Sequence, residues 1–193
     1  MTLFITGLVI FLGVHSVSIV NAPWRDKTAA RIGAAAWQGL YSVVAIAGFV
    51  LIVYGYGLAR QQTAVLYVPP VWMHYLALVL LVFVFPLLFA AYLPGRIKSA
   101  TKHPMLVATK TWALAHLLAT GSVVDVILFG AFLAWAVIDR ISLKRRTPLP
   151  VPGAPPSKFN DVIAVVLGLA LYAAFLVWLH TRLIGVSPLS NLS

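Results

Sequence analysis

A chain of 193 residues that is 62% hydrophobic and 9% charged cannot cover its apolar side chains as a water-soluble domain does. Soluble proteins average about 25% charged residues, and the mean hydropathy of this chain is +0.98. The sequence contains no cysteine, which excludes disulfides, cysteine-ligated zinc, iron–sulfur clusters and covalently attached c-type haem. Composition therefore indicates a protein whose solvent is lipid.

The hydrophobic stretches predict an all-α fold, a polytopic transmembrane bundle of about six helices that forms one domain over residues 1–193. A helix needs about 20 apolar residues to cross the hydrocarbon core. In chain order we place the spans at 2–20, 37–58, 70–92, 104–120, 123–139 and 161–183. No basic residue precedes the first apolar run, which favours a retained helix over a cleaved signal peptide.

The fourth span is shorter and more polar than the others. It contains Thr109, Lys110, Thr111 and His116, so we expect it to pack among the other helices and not to face lipid. Pro104 suits the first turn of this helix. Gly121 is expected to end it in the left-handed conformation, and Ser122 to cap the next helix. In the third span, Pro86 predicts a kink.

Five prolines mark the segment before the last span, and all of them lie between Lys144 and Lys158. Such a composition favours an extended, polyproline-like chain. We predict a cytoplasmic connector at 144–160.

Basic residues predict the orientation in the membrane. Twelve of the fourteen lie in or beside three connections on one predicted face, and only Arg60 and Arg182 fall on the other. The twelve are Arg25, Lys27, Arg31, Arg96, Lys98, Lys102, Lys110, Arg140, Lys144, Arg145, Arg146 and Lys158. The basic face is expected to be cytoplasmic, which predicts a multi-pass protein of the bacterial inner membrane with both termini periplasmic. The net charge of +10 then reflects anchors beside anionic lipid and not a nucleic-acid partner.

Acidic residues are few. The chain has four aspartates, all near span ends or in loops, and no glutamate. This argues against a carboxylate proton relay, a carboxylate-bound metal pair and a paired-carboxylate hydrolase. Histidine is the remaining residue type that could bind a metal or transfer a proton.

Three of the five histidines lie near predicted span ends. His74 and His180 are expected to face lipid headgroups, and His103 to cap the fourth helix or contact a lipid phosphate. His15 lies six residues before Asn21, or about 9 Å into the first span, and His116 lies about 18 Å along the fourth helix. Histidines at such depth are candidates for function. The alternative is an ordinary buried histidine satisfied by a backbone carbonyl or by the hydroxyl of Ser16 or Thr120.

Two histidines on separate membrane helices can act as the axial ligands of one haem iron. Trp112 lies one turn before His116 on the same face and could contact the macrocycle. Candidate partners for the propionates are the basic residues Arg25, Arg31, Arg96 and Lys110. Spacing alone does not separate haem b from quinone, copper or an empty core.

Four motifs resemble the NnrU family of membrane proteins. They are Leu-Gly-Val-His-Ser at 12–16, Lys-His-Pro-Met at 102–105, Trp-Ala-Leu-Ala-His-Leu-Leu-Ala-Thr-Gly at 112–121, and the ending at 180–189. The resemblance extends over essentially the whole chain. The family includes bacterial proteins linked to denitrification and the plant 15-cis-ζ-carotene isomerase, a haem b enzyme that converts a cis double bond to trans.

The resemblance implies a haem b protein with His15 and His116 as iron ligands and an apolar, carotenoid-like polyene as substrate, drawn from membrane lipid. One position departs from the isomerase. The residue three before its second histidine is a cysteine proposed as an alternative ligand, and Ala113 stands there in this chain. A ligand exchange to thiolate is therefore excluded, while haem binding is not affected.

Three other functions stay open. A haem with two histidine ligands suits electron transfer, which fits a redox, sensing or accessory role in nitrite and nitric oxide metabolism. The motif at 102–104 resembles an element of membrane methyltransferases, but the acidic residues that accompany it there are missing. A structural subunit or assembly factor is the third alternative.

Overall fold

A computed structural model describes residues 1–147 and 151–190, and helices occupy all six predicted spans. The long helices are α1 (Thr2–Ile32), α2 (Ala34–Ala59), α3 (Val71–Val82), α4 (Val84–Tyr92), α6 (Pro104–Ala119), α7 (Val123–Ser142) and α8 (Asn160–Ala174). Short helices are Arg60–Gln62 (3-10), α5 (Arg96–Thr101), the π-helix Phe175–Leu179 and α9 (His180–Ile184). Among the described residues, β contacts are limited to one isolated bridge, between Val65 and Ser122. The all-α prediction is confirmed.

Four helical stretches are long and apolar enough to cross a membrane: Thr2–Ile32, Ala34–Gln62, Val71–Tyr92 and Asn160–Ile184. They coincide with four of the six predicted spans. Helix α6 has 16 residues, and α7 carries Asp125, Asp139 and Arg140. The chain is therefore a helical membrane protein, and the crossing of α6 and α7 stays a prediction.

Two of these stretches contain a break with an identifiable cause. In α1, Asn21 leaves the helical region (φ −151°, ψ 78°), and its Oδ1 accepts a 2.9 Å hydrogen bond from the backbone N–H of Trp24. The predicted end of the first span lies at this break. In the third span, the helix is interrupted at Phe83, between α3 and α4. The cause is Pro86, which lacks an N–H and crowds the carbonyl four residues earlier. The predicted kink in the third span is confirmed.

The chain divides into two compact units. The first contains α1, α2 and α7. Helices α1 and α2 approach closely at Gly7, Gly48 and Gly55, where an added Cβ would meet the backbone of the opposite helix. Small residues at such crossings let membrane helices pack backbone to backbone.

The second unit contains α3 to α6, α8 and α9. Helix α4 packs against α8 and α6, and α3 packs against α6. Gly168 of α8 lies against Pro86 of α4, so the kink and the small residue fit together. Tyr172 of α8 donates a 2.9 Å hydrogen bond to the carbonyl of Leu78 on α3.

The end of α6 differs from the prediction. Gly121 does not adopt the left-handed backbone conformation. Instead, Thr120 follows the last residue of α6 in an extended conformation (φ −138°, ψ 145°). A side chain at position 121 would instead collide with the backbone carbonyl of Tyr67, which explains the glycine. The Ser122 cap is confirmed, since its Oγ accepts a 3.3 Å hydrogen bond from the Asp125 N–H.

The predicted connector at 144–160 is only partly described. Pro148 and Pro150 lie outside the described residues, and 151–157 has no regular structure before α8 begins at Asn160. The extended conformation of the connector and its cytoplasmic side stay predictions.

Candidate functional site

His15 lies on α1 in the first unit, and its ring is held by its own helix. The Nδ1 atom is 2.7 Å from the backbone carbonyl oxygen of Phe11. A carbonyl only accepts hydrogen bonds, so Nδ1 carries a proton, and in the neutral ring Nε2 then keeps its lone pair. Histidines that bind a metal through one ring nitrogen commonly donate from the other one in this way.

Aromatic rings from three helices surround the imidazole of His15. Phe11 lies 4.2 Å away between ring centroids, Tyr41 of α2 lies 5.3 Å away, and Trp135 of α7 lies 6.0 Å away at 89°. The Trp135 Nε1 atom is buried and has no hydrogen-bond partner. The surroundings of His15 are therefore mainly aromatic, and they contain one hydrogen-bond donor without a partner, the indole N–H of Trp135.

His116 lies on α6 in the second unit and has the same local geometry. Its Nδ1 atom is 2.8 Å from the carbonyl oxygen of Trp112, one turn earlier, so Nδ1 again carries the proton. The rings of Trp112 and His116 are 5.2 Å apart between centroids, at 53°. The two side chains share one face, as their spacing predicts.

The hydroxyl groups near the two histidines have other acceptors. Ser16 donates to the carbonyl of Leu12 at 2.6 Å, and Thr120 donates to the backbone carbonyl of His116 at 2.9 Å. Backbone carbonyls, and not these hydroxyls, hold both Nδ1 atoms.

The four basic residues considered as propionate partners differ in exposure. Arg25 is 5% exposed, and its Nε lies 2.9 Å from Asp26 Oδ1. Arg31 and Arg96 are exposed, and Lys110 is partly buried in α6. Arg25 and Arg31 belong to the unit of His15, and the other two to the unit of His116.

The remaining histidines occupy different settings. His180 Nδ1 lies 2.7 Å from the carbonyl oxygen of Val186, which folds the segment after α9 back onto the helix. His103 precedes α6 but makes no side-chain capping bond, so the capping prediction is wrong. His74 is partly buried on α3.

Sequence reasoning missed Tyr41 and Trp135, which come from helices distant in sequence. It also missed a buried polar link in the first unit. Tyr56 of α2 donates a 2.6 Å hydrogen bond to Asp125 Oδ1, and Ser122 Oγ donates to Oδ2 at 2.7 Å. Asp125 is 8% exposed, so this link explains how α7 carries a buried acid.

Within residues 1–147 and 151–190, no group of three or more histidine, cysteine or acidic side chains could hold a metal ion. This finding does not concern haem iron, which needs only two histidine ligands.

Comparison with known proteins supplies the family. A family model described as NnrU protein matches residues 3–188, nearly the whole chain. No curated protein matches the chain, and no solved structure does. This chain therefore belongs to the NnrU family.

Proposed function

We propose that this protein binds haem b in the membrane, with His15 and His116 as iron ligands. One observation carries the proposal: both rings donate from Nδ1 to a carbonyl four residues earlier, at 2.7 and 2.8 Å. Each ring is thereby oriented with Nε2 as its basic nitrogen. His180 has a comparable bond to Val186, so the local geometry alone does not select two of the three. The resemblance of the motifs around His15 and His116 to the family supports the choice of these two.

The surroundings of the two histidines fit haem in chemistry. Neutral imidazole is a common iron ligand, and an apolar aromatic wall suits the macrocycle. Phe11, Tyr41 and Trp135 supply such a wall beside His15, and Trp112 lies beside His116. The bound group would supply an iron that changes between ferric and ferrous states.

Haem propionates require cationic partners. The candidates are Arg25, Arg31, Arg96 and Lys110. We favour Arg25, because its guanidinium is 5% exposed and its ion pair with the exposed Asp26 involves Nε, which leaves the terminal nitrogens to donate to a second anion.

We further propose that the protein is a multi-pass protein of a bacterial inner membrane. In this orientation the basic connections are cytoplasmic and both termini are periplasmic. The twelve-to-two distribution of basic residues supports it.

For activity we propose cis–trans isomerisation of a carotenoid-like polyene. Such a substrate is apolar enough to arrive through lipid, and rotation about a double bond needs no buried acid or base. The chain's part is to hold the iron through two imidazoles and to enclose an apolar substrate away from water.

The second candidate is a haem-containing redox or accessory protein of nitrite and nitric oxide metabolism. Ala113 favours it, because this residue is fully buried and offers only a methyl group where the isomerase has a cysteine. Two histidine ligands without an alternative thiolate are typical of electron transfer.

The proposal is tested on the full-length protein purified in detergent from haem-replete cells. We expect a b-type pyridine haemochrome and a low-spin spectrum in the oxidised and reduced states. His15→Ala and His116→Ala should each lose haem or become high-spin, whereas the control His180→Ala should keep the wild-type spectrum. A colourless wild-type protein, or variants that all keep a low-spin spectrum, would reject the proposal.

Two assays on the haem-loaded protein separate the candidate activities. Conversion of a cis-polyene in detergent micelles, followed by chromatography, supports the isomerase. Absence of conversion, together with reversible reduction and nitric oxide binding, supports the redox or accessory role.

A further inference from the structure

A basic groove lies in the second unit, where two membrane helices end. One wall is formed by Pro94 and Gly95, which link α4 to α5, and by Arg96, Ser99 and Ala100 of α5. The other wall is residues 156–158, just before α8. The groove has a volume of about 900 Å³. Arg96 and Lys158 line it, together with the hydroxyl-bearing residues Ser99 and Ser157.

The two walls are tied together by side chains of the first turn of α8. Asn160 is 3% exposed, and its Nδ2 donates to the carbonyls of Pro94 at 2.8 Å and Pro155 at 3.1 Å. Asp161 accepts from the backbone N–H groups of Arg96 at 2.8 Å and Ile97 at 3.1 Å. The groove is therefore built into the fold and does not depend on chance proximity of two loops.

The cationic side chains of the groove have no carboxylate partner in the part of the chain that the structure describes. The ion pairs found there join Arg25 with Asp26 and Arg146 with Asp139. Asp161, in the first turn of α8, accepts from two backbone N–H groups. The Nζ atom of Lys158 lies 5.1 Å from the centroid of the Phe159 ring. The Ser99 hydroxyl donates to the carbonyl of Gly95 at 2.9 Å, whereas the Ser157 Oγ only accepts, from the Phe159 N–H at 3.3 Å. Two cations and the Ser157 hydroxyl are thus available to an anion.

The position of the groove indicates which anion. The membrane-capable stretch Val71–Tyr92 ends within a few residues of the groove, and the stretch Asn160–Ile184 begins within a few residues of it. Tyr92 and Phe159 are exposed there, as aromatic residues at a headgroup boundary commonly are. Below the groove, Val162, Val166 and Leu169 form an exposed apolar stripe along α8. A lipid whose phosphate lies in the groove would therefore have its acyl chains beside this stripe.

We infer that the groove binds the phosphodiester headgroup of an anionic phospholipid. Arg96 and Lys158 neutralise the phosphate, Ser157 donates to one of its oxygens, and the acyl chains lie along α8. Arg96 was also a candidate for a haem propionate, and its place beside Lys158 favours the lipid instead. The inference does not rest on haem binding.

Native mass spectrometry of the detergent-purified full-length protein tests this inference. Phosphatidylglycerol and phosphatidylcholine of equal chain length are titrated in mixed micelles. We expect preferential retention of phosphatidylglycerol by the wild type. The Arg96→Gln/Lys158→Gln variant should bind it about thirtyfold more weakly, since each cation near the surface contributes about fivefold.

Three controls make the result decisive. Lys144→Gln/Arg145→Gln removes two exposed charges outside the groove and should change phosphatidylglycerol retention by less than about twofold. Arg96→Lys/Lys158→Arg should bind as the wild type does. Soluble glycerophosphoglycerol should compete poorly, because it lacks acyl chains. Equal loss in the control double variant, no loss in the groove variant, or equal binding of the soluble headgroup would each overturn the inference.

Discussion

The indole of Trp135 stands at 89° to the imidazole of His15, with ring centroids 6.0 Å apart, and its Nε1 donor is buried without a partner. A buried donor of this kind costs free energy unless a ligand accepts from it. Its position beside a histidine whose Nδ1 is already engaged makes this part of the first unit suited to a ligand that brings an acceptor.

This arrangement predicts that the protein tolerates loss of the indole N–H at position 135. In the haem-free protein, Trp135→Phe should lower the free energy of unfolding by less than about 1 kcal/mol, because no hydrogen bond is lost. Trp135→Ala should cost about 3–5 kcal/mol, because it removes the ring as well. Thermal unfolding in detergent, followed by circular dichroism, measures both. Equal losses for the two variants would contradict the assignment of an unused donor.

The Tyr56–Asp125 link predicts a stability effect in the first unit. Tyr56→Phe leaves Asp125 buried with one hydrogen-bond donor fewer, so we expect a loss of about 1–3 kcal/mol. The matched control is Tyr54→Phe on the same helix, where the ring is 62% exposed. The control should behave as the wild type in the same unfolding measurement. A Tyr54 variant as unstable as the Tyr56 variant would show that the link is not responsible.

The contact between α1 and α2 predicts opposite effects at two glycines of α2. A Cβ at Gly55 would collide with the backbone of Phe4, so Gly55→Ala should cost about 1–3 kcal/mol. Gly57 has open space around its Cα, so Gly57→Ala should be neutral or stabilise by up to about 1 kcal/mol through helix propensity. Unfolding midpoints in detergent provide the comparison. Equal effects at the two positions would exclude close helix packing at Gly55.

Local sequence signals predicted the helices well. Hydropathy placed the six spans, and the breaks at Asn21 and Phe83 follow from a capping side chain and a proline within a few residues of each break. The same is true of Trp112 and His116, which lie one turn apart and therefore share a face. These features depend on residues close in sequence, and their physics can be read from a short window.

Features that depend on distant residues were not predictable in this way. The role of Gly121 was misjudged because its constraint comes from the carbonyl of Tyr67 and not from its own φ. Tyr41 and Trp135 reach His15 from two other helices, and no spacing rule links those positions. The length and charge of α6 and α7 are visible in the sequence, but the crossing of these helices depends on what surrounds them.

The most direct measurement for the central claim is chemical rescue of the ligand variants. Purified His15→Ala and His116→Ala are reconstituted with haem b, and their ferric absorption spectra are recorded before and after addition of imidazole. The account predicts a high-spin spectrum in each variant that imidazole returns to the low-spin form of the wild type, while His180→Ala is low-spin from the start. A wild-type protein that takes up no haem, or variants whose spectra equal that of the wild type before imidazole is added, would contradict it.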